Sequence, residues 1–201
     1  MGAKQTECGN SELFRDNELL NEAVIFAVRR HSGQFRKGTR IPYIVHPLET
    51  LSILVNMKAD TALMAAGVLH DVIEDTDTSG KELLERFGED VCRLVLSYSE
   101  DKSKSWDERK KHAVSELKKS SFRVKMLVMA DKVSNLRSIY ADYRDMGEEL
   151  WERFNAPREK QEWYYGVIKD ALAEMKDDCH TAEVYGEMVR LCKEIFGVKH
   201  L

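Results

Sequence analysis

Proline is nearly missing from this chain and glycine is sparse, three and eleven among 201 residues. Sandwiches and barrels need turn residues at close intervals, so the shortage argues against them. With Glu, Lys, Leu, Ala and Arg abundant, it favours helices. Positive charge is not in surplus either: Lys and Arg total 31 against 35 for Asp and Glu, a formal charge of −4. A global basic field for gripping a nucleic-acid polymer is therefore excluded, while a local basic pocket is not. No apolar run approaches the ~18 residues of a membrane span, and the N-terminus lacks a secretory apolar region. Cys8, Cys92, Cys179 and Cys192 stand far apart with no C-x-x-C pair. That spacing predicts reduced thiols in a cytoplasmic protein.

What is present reads as one all-α domain of about eight to ten helices, over residues 16–201, preceded by a flexible polar tail, residues 1–15. The opening Met1-Gly2-Ala3-Lys4-Gln5-Thr6 fits a myristoylation pattern, one short enough to arise by chance. Leu20, Ala23, Val24, Ala27 and His31 recur at helical spacing, predicting a first helix that ends near His31. Ser32 to Arg40 is a basic loop containing glycine. Pro47 suits the opening of a second helix through Met57. Asp60 to Asp75 forms a third, apolar nearly all round and therefore central. Ser79-x-x-Glu82 and Ser105-x-x-Glu108 read as capping boxes, the first for a helix halted at Gly88. Another helix is expected through Val91 to about Tyr98. Phe122 to Met146 reads as a long helix stopped by Gly147, followed by helices from Pro157 to Met175 and from Thr181 to Phe196.

A buried helix ending in His70-Asp71-Val72-Ile73-Glu74-Asp75 calls for an explanation. Burying such charge is costly unless a cation or hydrogen bonds compensate. Imidazole and carboxylate make a good divalent-metal set, whereas an isolated His-Asp reads more readily as a polar helix end emerging into solvent. Two further positions weigh on that choice. His46 precedes Pro47, and Asp131 interrupts the apolar run Met126-Leu127-Val128-Met129-Ala130. Together they form a spaced set, His46…His70-Asp71…Asp131, with Asn135 one turn beyond Asp131 on the same face.

The text His31-Ser-Gly-Gln-Phe-Arg-Lys-Gly-Thr-Arg-Ile-Pro-Tyr-Ile-Val-His-Pro47, then Leu69-His-Asp-Val-Ile-Glu-Asp-Thr76, then Ala130-Asp-Lys-Val-Ser-Asn-Leu-Arg137 resembles the HD superfamily of metal-dependent phosphohydrolases. More narrowly it resembles the hydrolase domain of RelA/SpoT-type alarmone enzymes and the small stand-alone alarmone hydrolases. The resemblance runs from about Leu20 to Arg137 and is loose beyond. It implies an HD-domain helical bundle with one manganese ion held by His46, His70, Asp71 and Asp131. It also implies that Glu74 and Asp75 position and deprotonate the attacking water, that Arg36 and Lys37 hold the nucleotide, and that Asn135 lies near the ribose. His31, recurrent in that family, is not a ligand there. The implied reaction is hydrolysis of the 3′-pyrophosphate of guanosine tetra- or pentaphosphate (ppGpp, pppGpp), a small-molecule nucleotide, with no synthetase domain in this length.

Two rivals share part of the pattern. A nucleoside-monophosphate phosphatase would keep the four metal positions but need neither the Arg36-Lys37 loop nor Asp75 beside Glu74. A non-catalytic nucleotide-binding regulator would be expected to have lost a ligand or the catalytic acid, and this chain has lost neither. Beyond Arg137, Arg153 and Arg158 are candidates for phosphate contacts, with surface ion pairs as the plainer reading. Trp163, Tyr164 and Tyr165 read as packing.

Overall fold

The computed structural model describes residues 4–97 and 103–197, with side chains from Arg15 onward. The start of the myristoylation pattern, the Cys8 side chain and the expected helix end at Tyr98 lie outside the described residues. Among the described residues there is no strand, only an isolated bridge between Phe35 and Pro42 that closes the basic loop. The chain is all-α: α1 (Lys4–Arg30), α2 (Val45–Asn56), α3 (Thr61–Leu69), α4 (Val72–Asp75), α5 (Gly80–Leu96), α6 (Trp106–Lys119), α7 (Phe122–Met146), α8 (Arg158–Ala171) and α9 (Ala182–Phe196). Two 3₁₀ turns, Gly147–Arg153 and Ala173–Asp177, join the last of them.

Local chemistry accounts for most boundaries. Asp60, Ser79, Ser105 and Ser121 each accept a hydrogen bond from a backbone N–H in the first turn of the helix that follows. Satisfying an orphan donor in this way is the usual role of these residue types. Ser105 and Glu108 form the full reciprocal capping box. Ser79 and Glu82 form only half of one, because Arg30 of α1 draws the Glu82 carboxylate into contacts of 2.6 and 2.8 Å. Gly88, at φ 79°, is the kink where two helical segments of α5 meet. Gly147 ends α7 at φ 61°.

Four boundaries depart from the sequence reading, one of them that of α8, which ends at Ala171 and leaves Met175 in the 3₁₀ turn beyond. α1 runs back to Lys4, into the stretch expected to be a tail. α2 begins at Val45, so His46 lies inside the first turn and Pro47 follows it there, where a missing N–H leaves no helical bond unmade. The third helix stops at Leu69, and His70 and Asp71 form a turn before the single turn of α4. His70 folds its Nδ1 back onto the Gly67 carbonyl at 2.7 Å.

α3 and α7 are the centre. α3 packs on α1, α2 and α5, and α7 packs on α2, α3 and α9. Leu54, Leu63, Leu69, Leu127 and Met129 are fully buried, each worth about 1.5–3 kcal/mol relative to exposure. Small residues let α2 and α3 come close: a Cβ on Gly67 would stand 2.3 Å from Leu54 Cδ1. This tight seam brings His46 and His70 together, their rings edge-on with centroids 5.0 Å apart.

Candidate functional site

His46 on α2, His70 at the end of α3 and Asp131 on α7 bring donor atoms within 4.8 Å of one another, all three side chains buried. The two Nε2 atoms are 3.2 Å apart. His46 Nε2 lies 3.0 Å from Asp131 Oδ1, and His70 Nε2 lies 3.6 Å from it. Asp71 joins through Oδ2, 3.1 Å from His70 Nε2 and 3.6 Å from His46 Nε2. The structure thus gathers all four residues of the spaced set.

The hydrogen bonds on the far side of each ring decide what the near side presents. The Gly67 carbonyl can only accept, so His70 Nδ1 carries a proton. His46 Nδ1 lies 2.8 Å from Ser134 Oγ, and that hydroxyl donates its single proton to Glu49 Oε2 at 2.7 Å. Ser134 therefore accepts from His46, which leaves His46 Nε2 a bare lone pair. A bare nitrogen 3.0 Å from a carboxylate oxygen is repulsive unless a cation lies between them. Ligands about 2.1 Å from a common ion at right angles stand about 3.0 Å apart, close to the edges found here. The donor set fits a divalent cation.

Without that ion, one proton takes its place. Burial alone would lower the His70 pKa, but the charge of Asp71 and hydrogen bonds to Asp131 and Asp71 outweigh it and hold it well above the ordinary value. Burial lowers that of His46, over the pull of Asp131. Asp131 lies well below the usual carboxylate range: burial opposes this, but the Lys132 ammonium, 2.8 Å from Oδ2, and the two imidazoles prevail. Asp71 is lowered too, by the His70 and His46 charges against its burial.

The remaining expected residues surround this cluster. Glu74 and Asp75 lie on α4, directly after Asp71. Glu74 is half-buried and Asp75 exposed. Asn135 donates to Asp131 Oδ1 at 2.6 Å and accepts from Arg36 at 3.1 Å, linking the cluster to the basic loop. Lys37 reaches Asn155 at 2.6 Å. A cavity of about 210 Å³ opens beside the cluster, with Arg36, Lys37, Tyr43, Asn135, Asp142 and Arg153 in its wall. Arg153 pairs with Asp142 at 3.1 Å and crosses directly over Gly38, where a Cβ would stand 2.6 Å from its Cδ. Arg158 is structural, donating to the Phe196 carbonyl at 3.0 Å. Tyr164 and Tyr165 are buried packing, although Tyr165 also reaches the cavity, and Trp163 is partly exposed.

Sequence reasoning missed Tyr43, Ser134 and Glu49. The Tyr43 hydroxyl donates to Asp71 Oδ2 at 2.5 Å and lies 3.2 Å from Asp75 Oδ2. Burial, then Asp71, raises its pKa, so it stays a donor. His31 packs its ring 4.9 Å from that of Tyr43 and bonds Gln34, as a supporting residue rather than a ligand. A signal for Ser134 existed: it is a polar residue within a helix buried on most sides.

The HD domain model matches residues 23–159. The guanosine-3′,5′-bis(diphosphate) 3′-pyrophosphohydrolase MESH1 of Xenopus tropicalis is 35% identical over 157 residues, covering 77% of this chain and 85% of that protein. The human MESH1 is 37% identical over 153 residues, covering 75% and 83%. Among solved structures, a metazoan SpoT orthologue, described as hydrolysing ppGpp and playing a role in starvation responses, superposes with a TM-score of 0.72 at 28% identity, over 88% of this chain and 94% of that one. The match spans α2, α3, α4 and α7, which carry the cluster, and the chain belongs to the HD domain family.

Proposed function

We propose that this chain hydrolyses the 3′-pyrophosphate of ppGpp and pppGpp, giving GDP or GTP and pyrophosphate, with a manganese ion held by His46, His70, Asp71 and Asp131. The observation that carries this is the cluster of inward lone pairs, His46 Nε2 and Asp131 Oδ1 at 3.0 Å, opening beside a basic-walled cavity. Its likeness to MESH1 over three quarters of the chain supports the substrate. Such an ion supplies positive charge that acidifies a water and offsets the charge of the phosphate it touches.

The chain's own residues supply the rest. Glu74 takes the proton of the attacking water, and Asp75, 3.2 Å from the Tyr43 hydroxyl, helps to orient that water. Water oxygen bonds to the phosphorus attached to the ribose 3′ oxygen, the bond to that oxygen breaks, and the 3′ oxygen takes up a proton. Tyr43 keeps Asp71 and Asp75 in register through one hydroxyl. Arg36 and Lys37 receive the nucleotide in the cavity, and Asn135, bridging Arg36 to Asp131, sets the ribose against the cluster. We place the reaction in the cytoplasm, where four well-separated cysteines stay reduced; no helix among the described residues is long and apolar enough to cross a membrane.

The test is product analysis with ppGpp and Mn²⁺. GDP and pyrophosphate are expected from the wild type, and Glu74→Gln should bind the metal yet lose turnover by about 100-fold or more. Inorganic monophosphate as the sole product would turn the reading towards a monophosphatase. Near-wild-type kcat in Glu74→Gln would remove Glu74 as the base.

A further inference from the structure

Behind His46 runs a chain of side chains that ends on the last helix. His46 Nδ1 meets Ser134 Oγ at 2.8 Å, and Ser134 donates to Glu49 Oε2 at 2.7 Å. Arg137 donates to Glu49 Oε1 at 3.1 Å. With Nε and its other terminal nitrogen, Arg137 grips both oxygens of Glu187 on α9, at 2.9 and 2.7 Å. Ser134 is 1% exposed, so water does not substitute for any partner it loses. We propose that Ser134 and Glu49 are positioning residues that lock His46 in the tautomer presenting a bare Nε2 to the metal, with Arg137 and Glu187 tying that lock to α9. The inference rests on the metal-binding reading of the cluster.

The direction of each hydrogen bond carries the argument. A serine hydroxyl has one proton, and a carboxylate only accepts. If Ser134 turned its proton to His46, its oxygen would face Glu49 at 2.7 Å with no hydrogen between them, while Arg137 already donates to the other oxygen of Glu49 at 3.1 Å. Only one polarity satisfies every atom: His46 donates, Ser134 relays, Glu49 accepts. On the metal side, an Nε2–H tautomer would place a hydrogen where the ligand lone pair must be. Outer partners of this kind commonly govern metal affinity by 10–100-fold. Glu49 sits on α2 one turn after His46, and Ser134 sits on α7 between Asp131 and Arg137, so the helices that supply ligands also supply the lock.

The experiment uses the full chain in two states. In metal-free protein, long-range ¹H–¹⁵N spectra should show His46 protonated at Nδ1, and the proton should move to Nε2 in Ser134→Ala and in Glu49→Ala. Titration with Mn²⁺ alone should then give a Kd about 10–100-fold weaker for both variants, with Ser134→Thr close to wild type because its hydroxyl restores the relay. Melting in EDTA identifies a variant that has lost its fold. Should Ser134→Ala do so, Glu49→Ala decides, since that side chain is partly exposed. A wild-type His46 protonated at Nε2, an unchanged Mn²⁺ affinity in the folded alanine variants, or equal losses in Ser134→Ala and Ser134→Thr would overturn the proposal. None of these readouts involves a nucleotide, so a wild type that binds Mn²⁺ but leaves ppGpp intact would defeat the substrate assignment and leave this one standing.

Discussion

Gly67→Ala tests whether the contact between α2 and α3 is what brings the two histidines together. In an ordinary helix this change stabilises by about 1 kcal/mol, since alanine is the better helix former. Here the new Cβ would lie 2.3 Å from Leu54 Cδ1 and 3.7 Å from Thr50 Cγ2, against a carbon–carbon optimum near ~3.5–4.0 Å. Leu54 is fully buried, so a turn of its Cδ1 presses into neighbouring core side chains and shares the deficit with a parting of the helices. Overpacking of this kind costs about 1–3 kcal/mol, and after the propensity gain of about 1 kcal/mol the net loss is up to about 2 kcal/mol. For a domain of this size, that corresponds to a fall in Tm of up to about 8 °C. Parting the helices also widens the 3.2 Å gap between the imidazoles and shifts the Gly67 carbonyl that holds His70 Nδ1. Melting in EDTA reads the first effect, and Mn²⁺ titration, expected to weaken at least about tenfold, reads the second. The double variant with Leu54→Ala should lose less than the sum of the two single losses, because the second change makes room for the first. A Gly67→Ala protein more stable than wild type, or strict additivity in the double variant, would refute the steric reasoning.

Arg36→Ala should raise KM for ppGpp about tenfold or more, from loss of a charged hydrogen bond, while kcat changes little because the residue lies on the cavity wall rather than at the metal; initial-rate kinetics decide, and an unchanged KM would remove Arg36 from the nucleotide site. Arg123 clamps Asp90 through two bonds, at 2.9 and 2.8 Å, and reaches Asp60 at 2.8 Å. The Arg123 hydrogen bond lowers the Asp90 pKa, so this stabilisation is present above the ordinary carboxylate value and vanishes as pH falls through the lowered one. Arg123→Ala should therefore cost about 1 kcal/mol or less at pH 7, a gap that closes in strongly acidic urea titrations; a gap constant with pH would contradict the assignment. Burial pushes the Cys192 thiol up to about 12, so iodoacetamide at pH 8 should modify the exposed Cys179 and spare Cys192. Peptide mass spectrometry checks this, and equal labelling would mean that α9 opens readily.

The all-α architecture was legible because its determinants are local. Ser105, Ser121, Gly88 and Gly147 act within a turn of the residues they cap or stop. The four clustered residues were legible as a set for a different reason: charge inside apolar helices demands compensation, and three such places shared one chemistry. What the sequence hid is what depends on approach between helices. Pro47 suggested a helix start at its own position, but the first turn tolerates a missing N–H anywhere within it, so His46 was set one step outside the helix it belongs to. The apolar run into Asp75 suggested an unbroken α3, while the break at His70 comes from an imidazole bonding backward to Gly67. The 3₁₀ turn Gly147–Arg153 carries Arg153 to the cavity while Arg158 turns to the Phe196 carbonyl, a choice between the two candidate arginines that the sequence alone did not make.

α7 shows why one helix can organise both halves of the site. Asp131, Asn135, Ser138 and Asp142 follow at intervals of four, three and four residues, which keeps them on one face. The first two belong to the cluster, and the last three lie in the cavity wall, so that face runs without interruption from the proposed metal site to the cavity. Ser134 and Arg137 fall on an adjacent face, turned towards α2 and α9, where they hold His46 and the last helix. The helix is buried over most of its length, so neither face can shift without disturbing a packed core. A displacement of α7 would move Asp131, Asn135 and the support of His46 together, which places the proposed chemistry on a helix packed into the core. Arg36 and Lys37, by contrast, sit on a loop closed by a single bridge, where a cavity wall can adapt as nucleotide enters.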